Sequence, residues 1–307
     1  MSFNQYTWDL YKQTTIGIEM IKYFSDAGGY VLFKDYCPYA NFIPEDLYND
    51  WLENIYCYGV SDYDHPSSLE EAKDLYISLI TLGIRVEGQQ WLPANDFKNM
   101  LGIIQPMSYV LSQFAPEYFF PYLFLCRIFE LNKIADFFNI DLPNIPKRTD
   151  YKGRCMYYWE LCEVFYLFRK ENGLSPADLW SFLYDFAPNN LPSEKIDMPK
   201  PSQVWFIGGR LYQEDKSLES KFWQSSPETK KGDILVHYET SPISAITCIE
   251  ISLTDGVIDP LFRYYGCIYI GNRINIPHIT LKELQTDEYF FKHPLVRKNF
   301  QGVNGWS

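Results

Sequence analysis

The sequence lacks the paired cysteines that mark a zinc site or a disulfide framework. Its seven cysteines are scattered, no two form a CxxC pair, and the chain has only four histidines. Cys155 and Cys162 are seven residues apart and would share a helix face, but two thiols alone fall short of a tetrahedral site. This usage is typical of reduced thiols in a cytosolic protein, and neither a metal nor a cofactor is expected.

Long apolar runs are missing as well. No uninterrupted apolar stretch approaches the roughly 18 residues that a membrane-spanning helix needs. The first residues, Met-Ser-Phe-Asn-Gln-Tyr, do not form a basic region followed by an apolar one. A soluble, cytoplasmic protein with no membrane partner is therefore expected.

Catalytic motifs are also missing. The sequence contains no G-x-S-x-G, Walker loop, H-E-x-x-H or Gly-rich dinucleotide fingerprint. A metal-dependent nuclease needs clustered carboxylates with a lysine, and the Glu-x-Lys-like snippets do not lie in the strand setting of such a site. The expectation is a protein without catalysis of its own.

Basic charge is scarce in the first two thirds of the chain. Residues 200–307 hold 12 Lys/Arg and 12 Asp/Glu, so the whole net charge of −12 lies in residues 1–199. Affinity for a phosphate backbone comes largely from Lys and Arg, so this distribution favours recognition of a base over tight nonspecific binding. The local pairs that remain as candidates for backbone contacts are Lys230 with Lys231 and Arg297 with Lys298.

The first two thirds of the sequence contain several helix patterns. Ser67 followed by Glu70 matches a capping box that opens a helix ending near Gly83, and Ser175-Pro176 is a second helix start. The run 118–138 is apolar nearly all round and predicts a buried central helix, whereas Tyr30–Phe33 suggests a short strand. Residues 187–201 contain four prolines and form the best domain boundary. We therefore predict an acidic, mostly helical domain over residues 1–198.

Beyond the boundary the hydrophobic period changes from 3.6 to 2. Strands are predicted at 203–207, 234–238, 243–251 and 263–270, with one short helix near Leu281–Leu284. Short strands with small helices indicate a compact, barrel-like module over residues 199–307. The predicted fold class is α+β, a helical N-terminal region followed by this mixed module.

The C-terminal motifs resemble a known family. The run Trp205-Phe206-Ile207, the turn Gly232-Asp233, the segment from Tyr238 to Ile246 and the closing Gln301-Gly302 resemble an EVE domain of the PUA-like superfamily. They are particularly similar to EVE modules of modification-dependent restriction systems. The stretch 205–226 also resembles the opening of the related YTH domains, where a tryptophan follows a strand and a variable loop.

The resemblance implies a reader of a modified, methylated base in DNA or RNA, held in an aromatic pocket. Trp223 falls at the family's cage tryptophan and is the first choice for the stacking wall, with Trp205 beside it. Glu239 is expected to accept from an exocyclic amine, and Gln301 to read a base edge. The further ligand-binding candidates are Tyr238, Ser241 and Trp306. The helical domain is expected to dock an effector of a restriction or RNA-processing system.

Two other interpretations stay open. Both tryptophans are compatible with an ordinary core, in which case the protein is an interaction scaffold with a degenerate PUA-like domain. An enzyme acting on a nucleotide-like molecule would need a titratable group in the same cleft, with Glu239 or His237 as the candidate. Strand alternation places His237 on the opposite face from Tyr238.

Overall fold

The computed structural model describes residues 3–37, 40–41, 43–192, 198–209, 220–262, 265–301 and 304–306. The fold is mixed α/β, with a helical N-terminal region and a nearly closed, barrel-like sheet. The chain divides into two compact units. The first is Met1–Ser193 with Pro260–Arg263, and the second is Glu194–Asp259 with Tyr264–Ser307.

The first unit consists mainly of helices. They are α1 Gln5–Gln13, α2 Thr15–Asp26, α3 Gly29–Tyr36, α4 Glu45–Ile55, α5 Leu69–Leu82, α6 Phe97–Met100, α7 Ile104–Phe114, α8 Ile128–Phe138, α9 Tyr151–Glu171, α10 Pro176–Ser181 and α11 Ala187–Asn190. One π-helical turn, Tyr56–Val60, extends α4, and another, Phe182–Phe186, joins α10 to α11. The strands β1 Ile84–Val86 and β2 Gln89–Leu92 form a small antiparallel hairpin. No described helix combines the length and the apolar composition that a membrane crossing requires.

The predicted helix starts are confirmed with one shift. At α10, Ser175 accepts a hydrogen bond from the Asp178 backbone and Pro176 occupies the first turn, as the sequence indicates. At α5 the capping residue is Ser68, one position after the predicted Ser67. Ser67 instead donates its backbone N–H and its hydroxyl to the Glu71 carboxylate.

The predicted strand at Tyr30–Phe33 is wrong, because this segment lies inside helix α3. A short apolar run has the same hydropathy in a buried strand and on a buried helix face, so periodicity alone does not separate them. Here Leu32 and Phe33 are buried, and Phe33 stacks on Tyr48 of α4 with ring centroids 4.4 Å apart. The helix satisfies its backbone locally and needs no partner strand.

The predicted central helix over 118–138 is wrong in its first half, since only α8 is helical. Pro121 lacks the N–H that a helix interior requires. Side chains satisfy this buried, irregular backbone. The Tyr184 hydroxyl donates to the Pro121 carbonyl at 2.5 Å, and Ser108 Oγ accepts from the Tyr122 N–H at 2.8 Å. The segment is apolar all round because it runs through the core, not because it is a helix.

The second unit is built on one mixed sheet. Its strands are β3 Val204–Gly209, β4 Ser220–Gln224, β5 Ile234–Glu239, β6 Ala245–Ser252, β7 Val257–Ile258, β8 Gly266–Thr280 and β9 Asn304–Trp306, with helices α12 Leu281–Thr286 and α13 Pro294–Arg297. The strand order is β4-β8-β6-β5-β3-β9, and β7 pairs with β8. Strands β3 and β5 are parallel, and the other pairs are antiparallel.

Each face of the sheet carries an apolar cluster. One face carries an apolar cluster made only of strand residues: Trp205, Ile207, Leu235, Ile268 and Ile270, with Trp223 packed against it. The other face packs under α12 and α13 through Tyr238, Ile246, Leu284, Leu295, Val296 and Phe300. Strands β4 and β3 are far apart in the strand order, yet Trp223 of β4 meets Gly209 of β3. The sheet therefore curls around the first cluster, which is its inner face.

Candidate functional site

A group of polar side chains lies on the inner face of the curled sheet. The parallel register pairs Ile207 with His237, and the antiparallel register pairs His237 with Cys248. Paired residues point to the same face, so His237 of β5 and Cys248 and Glu250 of β6 follow the inward apolar positions of both strands. Arg273 of β8 reaches Glu250 from the next strand. We call His237, Glu250, Arg273 and the neighbouring Trp223 the inner polar cluster.

The electrostatics of the inner polar cluster centre on Glu250, whose side chain is only 2% exposed. Its Oε1 accepts from Arg273 Nε at 2.9 Å, and Arg273 Nη2 lies 2.9 Å from the same oxygen. Its Oε2 lies 3.3 Å from His237 Nδ1. A buried carboxylate is tolerated only when it is paired and hydrogen-bonded, and Arg273 supplies the matching charge.

His237, Cys248 and Glu250 also have the composition of a metal site. One ligand atom from each lies within 4.8 Å of the others, and all three residues are buried. Imidazole, thiolate and carboxylate are all zinc ligands. However, the Arg273 guanidinium already neutralises Glu250, so the cluster is electrostatically complete without a cation.

Trp223 forms the aromatic part of the inner polar cluster. Its ring is half-buried and stands edge-on to the His237 ring, with centroids 4.7 Å apart and planes at 65°. A Cβ built on Gly209 would lie 2.6 Å from Trp223 Cζ2, a distance that side chains do not adopt. The indole therefore depends on a glycine at position 209. Its partial exposure leaves aromatic surface for a ligand.

Trp205 occupies a different environment from Trp223. It is 2% exposed, and its indole N–H donates to Asp233 Oδ2 at 2.9 Å. Asp233 also accepts from Lys230 N, Ser202 N, Ser202 Oγ and Gln203 N. Burial would raise the pKa of the Asp233 carboxyl, but these hydrogen bonds outweigh it and lower that pKa to about 2. Trp205 is thus a core residue anchored at the start of β3 and β5, with no ring face open for stacking.

Three of the predicted ligand-binding residues meet on the other face of the sheet. Tyr238, Ser241 and Gln301 line an open cleft of about 580 Å³ together with Thr240, Ser244, Leu281, Gln285, Asn299 and Phe300. Within it the Tyr238 ring is 3% exposed and stacks on Phe300 with centroids 4.1 Å apart. The structure therefore separates these residues from Trp223. Tyr238 serves mainly to pack the helices onto the sheet.

The remaining predicted residues lie near the ends of elements. Glu239 is half-buried at the end of β5, in register with Gly209. The backbone of Trp306 belongs to β9 and pairs with Phe206, while its side chain lies outside the described residues. Arg297 and Lys298 are exposed at the end of α13.

Lys230 and Lys231 precede β5, whereas His237 lies near its end. At about 3.3 Å per residue, the six positions from Lys231 to His237 correspond to roughly 20 Å along the strand. Lys230 Nζ also lies 3.5 Å from the Asp255 carboxylate. These two lysines are thus at the opposite end of the strand from the inner polar cluster.

Sequence reasoning missed Glu250, Arg273 and Gly209 as site residues. A signal was present, because Cys248 and Glu250 occupy alternate positions of the apolar strand β6 and His237 interrupts the apolar strand β5. Polar residues at inward strand positions need partners. The partner of Glu250, however, is Arg273, which lies 23 positions away on another strand.

Comparisons with known proteins leave the family open. No family model matches the chain, and neither a curated protein nor a solved structure matches it.

Proposed function

We propose that the C-terminal unit is an EVE-type, PUA-like reader that binds a modified base of DNA or RNA, with Trp223 as the stacking ring. The observation that carries the proposal is the half-buried indole of Trp223, which lies beside the buried His237 ring within the inner polar cluster. An accessible indole next to polar groups offers both a stacking surface and a means of reading a base edge. Stacking a base on an aromatic side chain contributes about 1–3 kcal/mol, and a methyl group adds apolar area.

The proposed role is recognition without catalysis. The acidic first unit repels a phosphate backbone, so affinity comes from an extruded base and not from the strand. By this proposal the helical unit docks an effector protein of a modification-dependent restriction or RNA-processing system. The net charge of residues 200–307 is zero, so this part of the chain approaches nucleic acid without net repulsion. This supports base binding by the C-terminal unit and effector docking by the helical unit.

Tryptophan fluorescence titrated with methylated and unmethylated nucleosides tests the proposal. We expect one methylated nucleoside to quench the full-length protein and to lose this effect in Trp223→Ala. Because the chain has eight tryptophans, Trp51→Phe in α4 of the other unit is the matched control and should quench as the wild type does. Quenching that persists in Trp223→Ala, or no response of the wild type to any nucleoside, contradicts the proposal.

The burial of Trp205 favours a second candidate, an interaction scaffold whose PUA-like domain has lost its ligand. A cage with two opposed tryptophans would leave both rings accessible, and Trp205 is 2% exposed with its indole nitrogen already bonded. In this case the wild-type protein would show no fluorescence response to nucleosides, and Trp223→Ala would change only stability.

A further inference from the structure

A ring nitrogen of the inner polar cluster forms no hydrogen bond with the described residues. Nε2 of His237 is buried and has no hydrogen-bond partner among the described residues, although the ring is 0% exposed. A buried polar atom without a partner is unfavourable, and such atoms are rare in folded proteins. Here it lies on the ring that faces the half-buried indole of Trp223. The position of Nε2 therefore suits a partner that arrives from outside the chain.

The surrounding charges determine which tautomer His237 adopts. Glu250 Oε2 lies 3.3 Å from Nδ1, and a carboxylate oxygen only accepts hydrogen bonds. Nδ1 must therefore carry the proton. The tautomer with its hydrogen on Nδ1 presents a lone pair at Nε2.

We infer that His237 Nε2 accepts a hydrogen bond from the amino group of the base that stacks on Trp223. The site then takes amino bases, of the cytosine and adenine type, in preference to their oxo counterparts. This inference rests on the proposed function. Trp223 has two roles in this inference. In the described structure its indole packs edge-on against the buried His237 ring, and the inference requires the indole to turn aside so that a base stacks on it and reaches Nε2.

Glu250 is the positioning residue in this arrangement, and its amide variant gives a distinctive result. Arg273 donates to Oε1, so Glu250→Gln keeps its amide oxygen toward Arg273 and turns its NH₂ toward Nδ1. Nδ1 must then accept, and the proton moves to Nε2. Nε2, the atom that contacts the edge of the base, thus changes from a hydrogen-bond acceptor to a donor. Glu250→Gln is therefore expected to lose the preference for amino bases and to bind oxo bases better than the wild type does.

The experiment compares bases that differ in the amino group. Methyldeoxycytidine is titrated against thymidine, and deoxyadenosine against deoxyinosine, with the full-length protein and tryptophan fluorescence as the readout. We expect the wild type to favour the amino member of the pair that it binds by about 10- to 100-fold, the usual effect of one base-edge contact. His237→Phe should bring the ratio close to one. Glu250→Gln should bring it to one or below.

The control is His278→Phe, an exposed position on β8 that should retain the wild-type ratio. The wild-type ratio itself requires no variant, so misfolding of His237→Phe, detected by circular dichroism, leaves the inference testable. Equal binding of amino and oxo bases by a wild type that needs Trp223 overturns the inference while the proposed function stands. A wild type that binds no nucleoside overturns both.

Discussion

Replacing Asp233 with asparagine should destabilise the second unit more than the other polar substitutions proposed for that unit. Oδ1 of Asp233 accepts from Ser202 N, Ser202 Oγ and Gln203 N, and Oδ2 accepts from Trp205 Nε1 and Lys230 N. An asparagine can satisfy the three-donor side with its carbonyl oxygen. Its NH₂ group then faces two further donors, and both of those hydrogen bonds are lost.

The magnitude follows from the charge and the burial of the Asp233 carboxylate. A hydrogen bond to a charged group contributes about 1.5–3 kcal/mol, so the loss of two costs about 3–6 kcal/mol at neutral pH. The shift of the Asp233 pKa gives a lower figure for the same hydrogen bonds. Its fall from the ordinary 3.8 to about 2 corresponds to about 2 kcal/mol of stability from ionisation alone.

The sign of the pH dependence follows from the direction of the Asp233 pKa shift. Because the folded-state pKa is lowered, the stabilisation is complete above about pH 4 and is lost as the pH falls through the pKa of about 2. Urea denaturation of Asp233→Asn at neutral pH and near pH 3 should therefore show a smaller difference from the wild type at the lower pH. Glu228→Gln, an exposed neutralisation nearby, should change stability by less than about 0.5 kcal/mol. A cost for Asp233→Asn below about 1 kcal/mol, or one equal at both pH values, would show that the ionised carboxylate does not hold these segments together.

Three further predictions concern packing and buried hydrogen bonds. In Gly209→Ala the new Cβ would lie 2.6 Å from Trp223 Cζ2, so the indole should move. We expect the emission maximum to shift and the quenching by nucleosides to be lost. The control Gly102→Ala, whose new Cβ meets nothing within 4 Å, should leave the emission maximum and the quenching unchanged. Arg154 is 3% exposed and donates to the Pro260 and Phe262 carbonyls, so Arg154→Leu should lower the free energy of unfolding by about 2–5 kcal/mol in urea. An unaltered urea midpoint, as expected for the exposed control Arg148→Leu, would contradict this. Tyr11→Phe removes a 2.6 Å donation to Asp185 and should cost about 1–2 kcal/mol in thermal denaturation; an unchanged melting temperature would show that the bond contributes nothing.

The features that could be predicted from sequence are those set by neighbouring residues. The capping box at Ser175 and Asp178 is complete within four residues, so the start of α10 was readable. The core segment at Pro121 could not be predicted. Its backbone hydrogen bonds are made by Tyr184 and Ser108, which are distant in sequence. In addition, an apolar run has the same sequence pattern in a helix and in a buried irregular segment.

The candidate site could be predicted only in part for the same reason. The resemblance ranks Trp223 before Trp205 but proposes both for the stacking wall, and only the burial of Trp205 and its hydrogen bond to Asp233 show that Trp205 belongs to the core. Tyr238 and Trp223 lie on opposite faces because of the register and curl of the sheet. Such register depends on strand pairing across the whole unit, which local patterns do not contain.

One feature of the fold bears on how the protein can be divided. The short segment Pro260–Arg263 belongs to the helical unit, although it is encoded more than sixty residues after that unit's last helix, α11 Ala187–Asn190. A fragment ending at residue 198 would therefore keep Arg154 without two of its carbonyl acceptors. A buried guanidinium that has lost its acceptors is energetically unfavourable, so the fragment should be less stable than the helical unit of the full chain. The helical unit is thus complete only after the ribosome has synthesised residues 260–263, when most strands of the sheet have already been made.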